Sequence, residues 1–230
     1  MMVMIDKLAP QTAGDALEYL EACGALDALN RAGRSEMPAD QAVDVAFLHK
    51  FVRKKKPSII LELGCGHSTV VMAHAAHSNA EEFARDPSAI YSVDAHRQWL
   101  DSLAQNFPEH LRQYVDLRFS TASIKEIAGQ LCHAYDELPD ITPSLIYIDG
   151  PNPDDVLGSI NGLSFAKTRG LSKRAVSADV LLYEWILPRG VRVIVDGRRN
   201  NIRFLQKNFR RQWDLEVSDD EGRAIFTLVD

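Results

Sequence analysis

The sequence predicts an α/β fold: a mostly parallel seven-stranded sheet in three layers, with helices on both faces and an antiparallel hairpin at the C-terminal end. Three observations carry that prediction. Five short stretches, Ser58 to Leu63, Ala89 to Asp94, Val115 to Phe119, Ser144 to Ile148 and Val191 to Asp196, are too short for helices and read as strands, the apolar run from Ser58 as a buried parallel one. Breaker-free stretches of helical character separate most of them, the alternation that yields parallel strands with crossover helices. Two last short strands, around Trp213 to Val217 and Ala224 to Val229, flank the turn Ser218 to Gly222 and pair as a hairpin.

In chain order, Ala13, Leu17, Leu20, Leu26 and Leu29 fall largely at helical spacing among acids, which predicts an amphipathic helix from Thr12 to Ala32, broken near Gly24. Pro38 opens a second helix whose stripe is Val43, Phe47 and Phe51, widened by Leu48 and Val52. It ends in Arg53, Lys54, Lys55 and Lys56, a solvated cationic terminus of the sort the helix dipole favours. These helices lean on the sheet, to cover a ligand or to form a homodimer face. After the first strand a helix runs through Val70 to Ala76, and a polar loop spans Asn79 to Ser88 before the second strand. A helix covers Arg97 to Asn106. Beyond the third strand and the turn Ser120, Thr121 and Ala122, another helix is expected, with Ile124, Ile127, Leu131 and Ala134 or Tyr135 on one side. The segment Asn152 to Val176 is long, poorly patterned and basic, and reads as a lid that binds a substrate. Ala178 to Leu187 and Asn200 to Arg211 are helical.

The 230 residues suffice for one domain with a full core, and 46% hydrophobic with 25% charged is a globular composition. A formal charge of -6 argues against wholesale nucleic-acid binding, which shows as a basic domain. Cys23, Cys65 and Cys132 stand far apart with no CxxC, against a disulfide framework or zinc site and in keeping with a reducing cytoplasm. No apolar run approaches the ~18 residues of a membrane span, and Met1 to Lys7 lacks a signal-peptide layout. The expectation is a cytoplasmic protein without membrane or nucleic-acid partners.

The chemistry centres on Glu62-Leu63-Gly64-Cys65-Gly66-His67-Ser68-Thr69. Strand, glycine turn and helix start make a nucleotide-sized pocket, because glycine admits a ligand to the backbone and the first helical N–H groups point outward. Three ligands compete. A dinucleotide would want a third glycine where Thr69 stands, and a P-loop would need Gly-Lys-Ser/Thr. The third uses Glu62: an acid before the turn suits a ligand bearing an ammonium group and would repel a pyrophosphate. Asp94, at the tip of the second strand, is placed either to accept ribose hydroxyls or to cap the helix that follows. His74 and His77 share a helix face, but further ligands at metal-binding spacing are missing and they read as surface histidines. Cys65 has no evident catalytic partner.

Glu-Leu-Gly-Cys-Gly resembles the S-adenosylmethionine motif of class I methyltransferases, in a bacterial branch whose acceptors are unassigned. The order of elements is similar to that family's Rossmann-like sheet over roughly residues 57–230, which leaves 1–56 as an N-terminal helical extension. The resemblance implies S-adenosylmethionine as cofactor, with Glu62, Gly64 and Gly66 at its methionine part and Cys65, His67 and Ser68 of the same turn beside them. It implies Asp94 at the ribose, with Ala95 and His96 near ribose and adenine. The family often carries an acid after the third strand; here Thr121 and Ala122 stand there, so adenine would be read by hydroxyl or backbone. Asp149, at the fourth strand's exit, lines the cofactor and, with Asp196, faces the acceptor as the catalytic pair. The reaction so implied is methylation of a small molecule at oxygen, with acceptor and methyl held in line. A non-catalytic module binding the same nucleoside and a nicotinamide-dependent reductase are the rivals. Mg²⁺-dependent relatives follow the second aspartate with Asn or Asp, where this chain has Gly197. The ligand set is therefore incomplete unless the turn brings Asn200 round; two carboxylates could still hold Mg²⁺ weakly, and a metal-free base is favoured over it.

Overall fold

The structure, a computed structural model, describes residues 8–83, 86–218 and 222–230. The chain runs α1 (Ala13–Ala22), α2 (Ala25–Arg31), α3 (Ala39–Lys55), β1 (Ile59–Leu63), α4 (His67–Phe83), β2 (Ala89–Asp94), α5 (Arg97–Asn106) and β3 (Val115–Phe119). It continues through β4 (Ala122–Ile127), β5 (Gln130–Tyr135), β6 (Leu145–Ile148), β7 (Val156–Leu157), α6 (Asp179–Tyr183), β8 (Arg192–Asp196), α7 (Arg199–Asn208), β9 (Trp213–Val217) and β10 (Arg223–Leu228). Seven strands form one sheet in the order β3-β2-β1-β6-β8-β10-β9, all running the same way except β10, which is antiparallel to both its neighbours β8 and β9. The tip of that last hairpin, residues 219–221, lies outside the described residues.

Period-two alternation divides each central strand between two cores. Ile60, Ile90, Leu145, Tyr147, Ile194 and Ile225 pack with α1 to α5 on one face. Leu61, Leu63, Ile146, Ile148, Val193 and Val195 pack with α6, α7 and the β4–β5 hairpin on the other. α4 is buried from His67 to Ala73, and α3 joins the same core through Phe47, Leu48, Phe51 and Val52. The N-terminal helices thus share their apolar interior with the sheet.

The structure corrects three expected elements. The segment after β3 is a β-hairpin, not a helix. Ala128 and Gly129 both have positive φ, 51° and 73°, and Ile127 pairs with Gln130 across a two-residue loop. The apolar positions of this stretch match helical and alternating periods alike, and Gly129 in its middle favours the turn. The stretch from Asn79 is helical to Phe83, because Asn79 is buried and joins α4 to α3: its amide donates to Val52 O at 3.1 Å and its carbonyl accepts from Arg53 at 2.6 Å. α6 stops at Tyr183 instead of running to Leu187, since Glu184 turns inward to accept the Arg210 and Arg211 amides, each at 2.8 Å.

The strand order reverses between β1 and β6, where open parallel sheets bind ligands beyond the carboxyl ends. Here the two exits touch. Gly64 has φ +98°, and a Cβ on it would lie 2.5 Å from Gly150 N and 2.6 Å from Gly150 Cα; both partners are backbone and neither can yield. Gly190, at φ +85°, has nothing within 4 Å of such a Cβ. Alanine at Gly190 should therefore cost only the left-handed backbone, about 1–2 kcal/mol. Gly64→Ala adds an overpacked backbone contact and should cost ~3 kcal/mol or more in urea unfolding. Equal losses for the two variants would show that the β1 and β6 exits separate at little cost.

Candidate functional site

The β1 exit turns on a set of buried hydrogen bonds. Glu62 is wholly buried, and its carboxylate accepts from Ser68 Oγ at 2.5 Å, Thr69 Oγ1 at 2.6 Å and Ser92 Oγ at 2.5 Å. Thr69 Oγ1 in turn accepts from Gly66 N at 2.9 Å. Glu62 thus ties β1, β2 and the first turn of α4 together. It was expected to face a ligand's ammonium; instead it points under α4, because the alternation that sends Leu61 and Leu63 to the opposite core sends Glu62 to this one. Thr69, which breaks the dinucleotide glycine pattern, is the residue that completes this clamp. Burial pushes the Glu62 pKa up from 4.5 to about 7, against the three hydroxyl donors that lower it.

Asp94, at the tip of β2, accepts from Cys65 N at 2.8 Å and from His96 N at 2.7 Å. It does not cap α5; His96 does, its Nδ1 accepting from Trp99 N at 3.1 Å. Both oxygens of Asp94 are oriented by backbone amides and the carboxylate borders a cavity of about 380 Å³, bounded also by Gly64, Cys65, His96, Trp99 and Asp149. A second cavity, about 440 Å³, shares Cys65, Trp99 and Asp149 with the first and adds Gly66, His67, Ser68, Asp44, Tyr147 and Asp196. A third, about 310 Å³, opens from Asp149 and Asp196 towards Lys173, Arg174 and the start of α7. Asp149 borders all three.

Around Asp149 the carboxylates are unequal. Asp149 is open to the cleft and ringed by protein elsewhere; burial raises its pKa to about 6, with the Arg198 guanidinium opposing and Asp44 and Asp94 adding to the rise. Asp196 is buried; its Oδ1 lies 3.3 Å from Arg223 Nε and its Oδ2 accepts from Tyr147 OH at 3.4 Å. Burial raises it also to about 6, Arg223 opposing. Arg223 binds Asp44 of α3 as well and lies 4.1 Å over the Phe47 ring, so one buried cation from β10 holds two acids from two other elements. Burial moves Asp44 furthest, to about 7, with Asp196 adding to the rise. Among the described residues no three His, Cys, Asp or Glu side chains converge to hold a metal ion.

Of the residues singled out in sequence, Gly64, Cys65, Gly66, His67, Ser68, Asp94, His96, Asp149 and Asp196 border this cleft. Thr121 and Ala122 do not border these cavities: Thr121 donates to Asp136 at 2.8 Å, and Ala122 is fully buried in β4, the strand that replaced the expected helix. Ala95 is half-buried and packs on the hairpin-side core. His74 is not a surface residue: half-buried, its Nδ1 lies 3.0 Å from His49 Nε2, and Tyr19 OH lies 2.7 Å from His49 Nδ1. Burial pushes the Cys65 thiol up, away from a nucleophile's range. Asp44, Arg223 and Trp99 were not foreseen. Trp99 stacks against Arg34, 4.0 Å away, and its Nε1 donates to Cys65 O at 2.7 Å. An indole one turn beyond Asp94 was the available signal for it; Asp44 and Arg223 come from distant elements and carry none.

A sequence model of the family described as methyltransferase domain matches residues 61–197. No curated protein sequence matches the chain. Among solved structures, an O-methyltransferase from Bacillus cereus in complex with SAH is similar at TM-score 0.52 and 14% identity, over 99% of this chain and 100% of that one. The SAH-bound methyltransferase PaMTH1 of Podospora anserina is similar at TM-score 0.53 and 12% identity, over 98% and 92%. At these identities the likeness shows a shared fold.

The Glu62 clamp has a pH signature. The folded pKa lies above the ordinary one, so the folded chain keeps this proton after the unfolded chain has lost it, and stability falls as pH rises from 4.5 through about 7. Glu62→Gln carries no such proton. Its stability relative to the parent should improve across urea titrations from about pH 5 to 8; parallel profiles would show that this carboxyl titrates normally.

Proposed function

The chain belongs to the methyltransferase-domain family, and from that premise we propose that it transfers a methyl group from S-adenosylmethionine to an oxygen of a small-molecule acceptor. The observation that carries this reading is Asp149 at the junction of the cavities: a nucleoside-sized one bounded by Asp94, and a second, acid-lined one beside it. The cradle fits the cofactor. Gly64 and Gly150 let the two strand exits meet at its edge, and Asp94 is already aimed by two amides to accept a ribose diol. The turn from Gly64 to Ser68 offers backbone to the methionine part, and Trp99 and His96 wall the nucleoside. Acids suit a sulfonium, as they suit any buried cation.

When bound, S-adenosylmethionine supplies an electrophilic methyl group. The residues' share is positioning and proton transfer. Asp149, open to the cleft and with its pKa at about 6, takes the acceptor's hydroxyl proton at neutral pH. Asp196 cannot serve equally, since Arg223 and Tyr147 occupy its oxygens; it belongs to the acid-lined wall. Trp99, hydrogen-bonded to Cys65 O, borders both halves of the cleft. The segment 152–176 covers the acceptor. It is tied at its ends by β7 on β4 and by Ser177 bridging to His133, so closure would move its middle. The free cysteines and the charge of -6 support a cytoplasmic enzyme without a nucleic-acid partner.

Two measurements bear on these roles. If Asp94 holds the ribose, wild-type protein should bind S-adenosylhomocysteine more tightly than its 2′-deoxy analogue. Asp94→Ala should weaken binding by about 1.5–3 kcal/mol and bind the two alike. Discrimination that survives the substitution would confine Asp94 to holding the Cys65 and His96 amides. If Asp149 is the base, kcat should rise with pH through about 6 and level off above, because the ionised form is the active one. Asp149→Asn should lower kcat by about 10²–10⁴-fold with S-adenosylhomocysteine affinity retained. Full activity in Asp149→Asn would remove it from the reaction.

A further inference from the structure

The cleft is electrically polarised, and its polarity bears on the acceptor. On the α3 side Asp40, Asp44 and Asp196 face the shared space with Asp149. On the opposite side, the cavity of about 310 Å³ is walled by Lys173, Arg174, Arg198 and Arg199, in a molecule whose formal charge is -6. These cations come from two separate segments, the end of the 152–176 loop and the turn after β8, and converge without a shared helix. Their placement is held by other bonds. Ser177 N donates to Asn201 Oδ1 at 2.6 Å and Asn201 Nδ2 donates back to Ser177 O at 3.0 Å, which pins the loop to α7. His133 N donates to Val176 O at 2.9 Å and Ala178 N to His133 O at 2.8 Å, which pins it to β5. Arg198 donates to the Asp149 and Pro151 carbonyls, joining the cationic wall to the Asp149 turn. Lys173 Nζ, an ammonium with three donors, gives one to Ser164 O at 2.8 Å.

We propose that the acceptor is a hydroxy-anion, a small molecule whose carboxylate or phosphate sits among Lys173, Arg174 and Arg198 while its hydroxyl reaches Asp149. The proposal rests on the methyltransferase reading above and names its substrate class. Guanidinium and ammonium groups recognise both anions through charge-assisted hydrogen bonds, the guanidinium as a fork. A neutral acceptor would leave this wall desolvated and uncompensated on closure, whereas an anion turned towards Asp40, Asp44 and Asp196 would be repelled. One orientation is therefore selected, with the hydroxyl at the base.

The test titrates protein saturated with S-adenosylhomocysteine, at constant ionic strength, with inorganic phosphate, benzoate and benzyl alcohol, read by protein NMR. The same titrations are run on Lys173→Glu/Arg174→Glu and on the milder Lys173→Gln/Arg174→Gln. At least one anion should bind about tenfold or more tightly than benzyl alcohol, and both variants should lose about tenfold or more of that affinity. S-adenosylhomocysteine affinity should stay unchanged, since neither residue borders its cavity. The stronger of benzoate and phosphate identifies the acceptor's anion as carboxylate or phosphate. Equal binding of benzyl alcohol, no saturation by either anion, or undiminished anion binding in the variants would overturn the proposal while the methyltransferase reading stands. A wild-type protein that does not bind S-adenosylhomocysteine would overturn that reading instead, and the proposal with it.

Discussion

The close passage of Gly64 over Gly150 is the constraint on which the site depends. β1 and β6 are neighbours at the point where the strand order reverses, and both chains must leave the sheet there without a side chain between them. Leu63 O accepts from both Asp149 N, at 2.9 Å, and Gly150 N, at 2.5 Å, so the β6 exit is hydrogen-bonded to the β1 exit as well as packed on it. That contact sets Cys65, Asp94 and Asp149 around one space. Glycine in the motif thus has a structural duty that precedes any duty to a ligand.

A second constraint is electrostatic. Asp149, Asp196 and Asp44 approach one another in poorly solvated surroundings, where like charges raise each other's pKa values. Two arginines moderate this in different ways. Arg223 is buried and bridges Asp44 and Asp196, which commits those acids to architecture. Arg198 bonds backbone carbonyls near Asp149, leaving that carboxylate turned to the cleft. The asymmetry separates one acid able to exchange a proton from two that are held. Glu62 shows the same division: an acid of the recognised motif is fully occupied by hydroxyls beneath the turn.

The seven strands of the main sheet were legible in the sequence because each is a short run, apolar throughout or alternating as in β3 and β9, whose neighbours break or turn helical. Asp94, Asp149 and Asp196 were legible for a related reason, as acids ending apolar strands. Less was legible where a pattern served two periods. Ile124, Ile127 and Leu131 suit a helix as well as a hairpin, and only the consecutive positive φ angles at Ala128 and Gly129 decide between them. Nor does a single strand's sequence say which face Glu62 takes relative to a cavity not yet assembled. Asp44 and Arg223 meet across most of the chain's length, and local spacing carries no trace of such a pair.

The central claim is that the paired glycine exits, Asp94 and Trp99 form a cofactor cradle that presents the transferable methyl group to an acceptor held beside Asp149. A crystal structure grown with saturating S-adenosylhomocysteine tests it most directly. The account predicts the ribose edge against Asp94, the amino-acid part along the turn from Gly64 to Ser68, and the sulfur facing the space bordered by Asp149. The nucleoside bound at another surface, or a cleft left empty at saturating ligand, would contradict it.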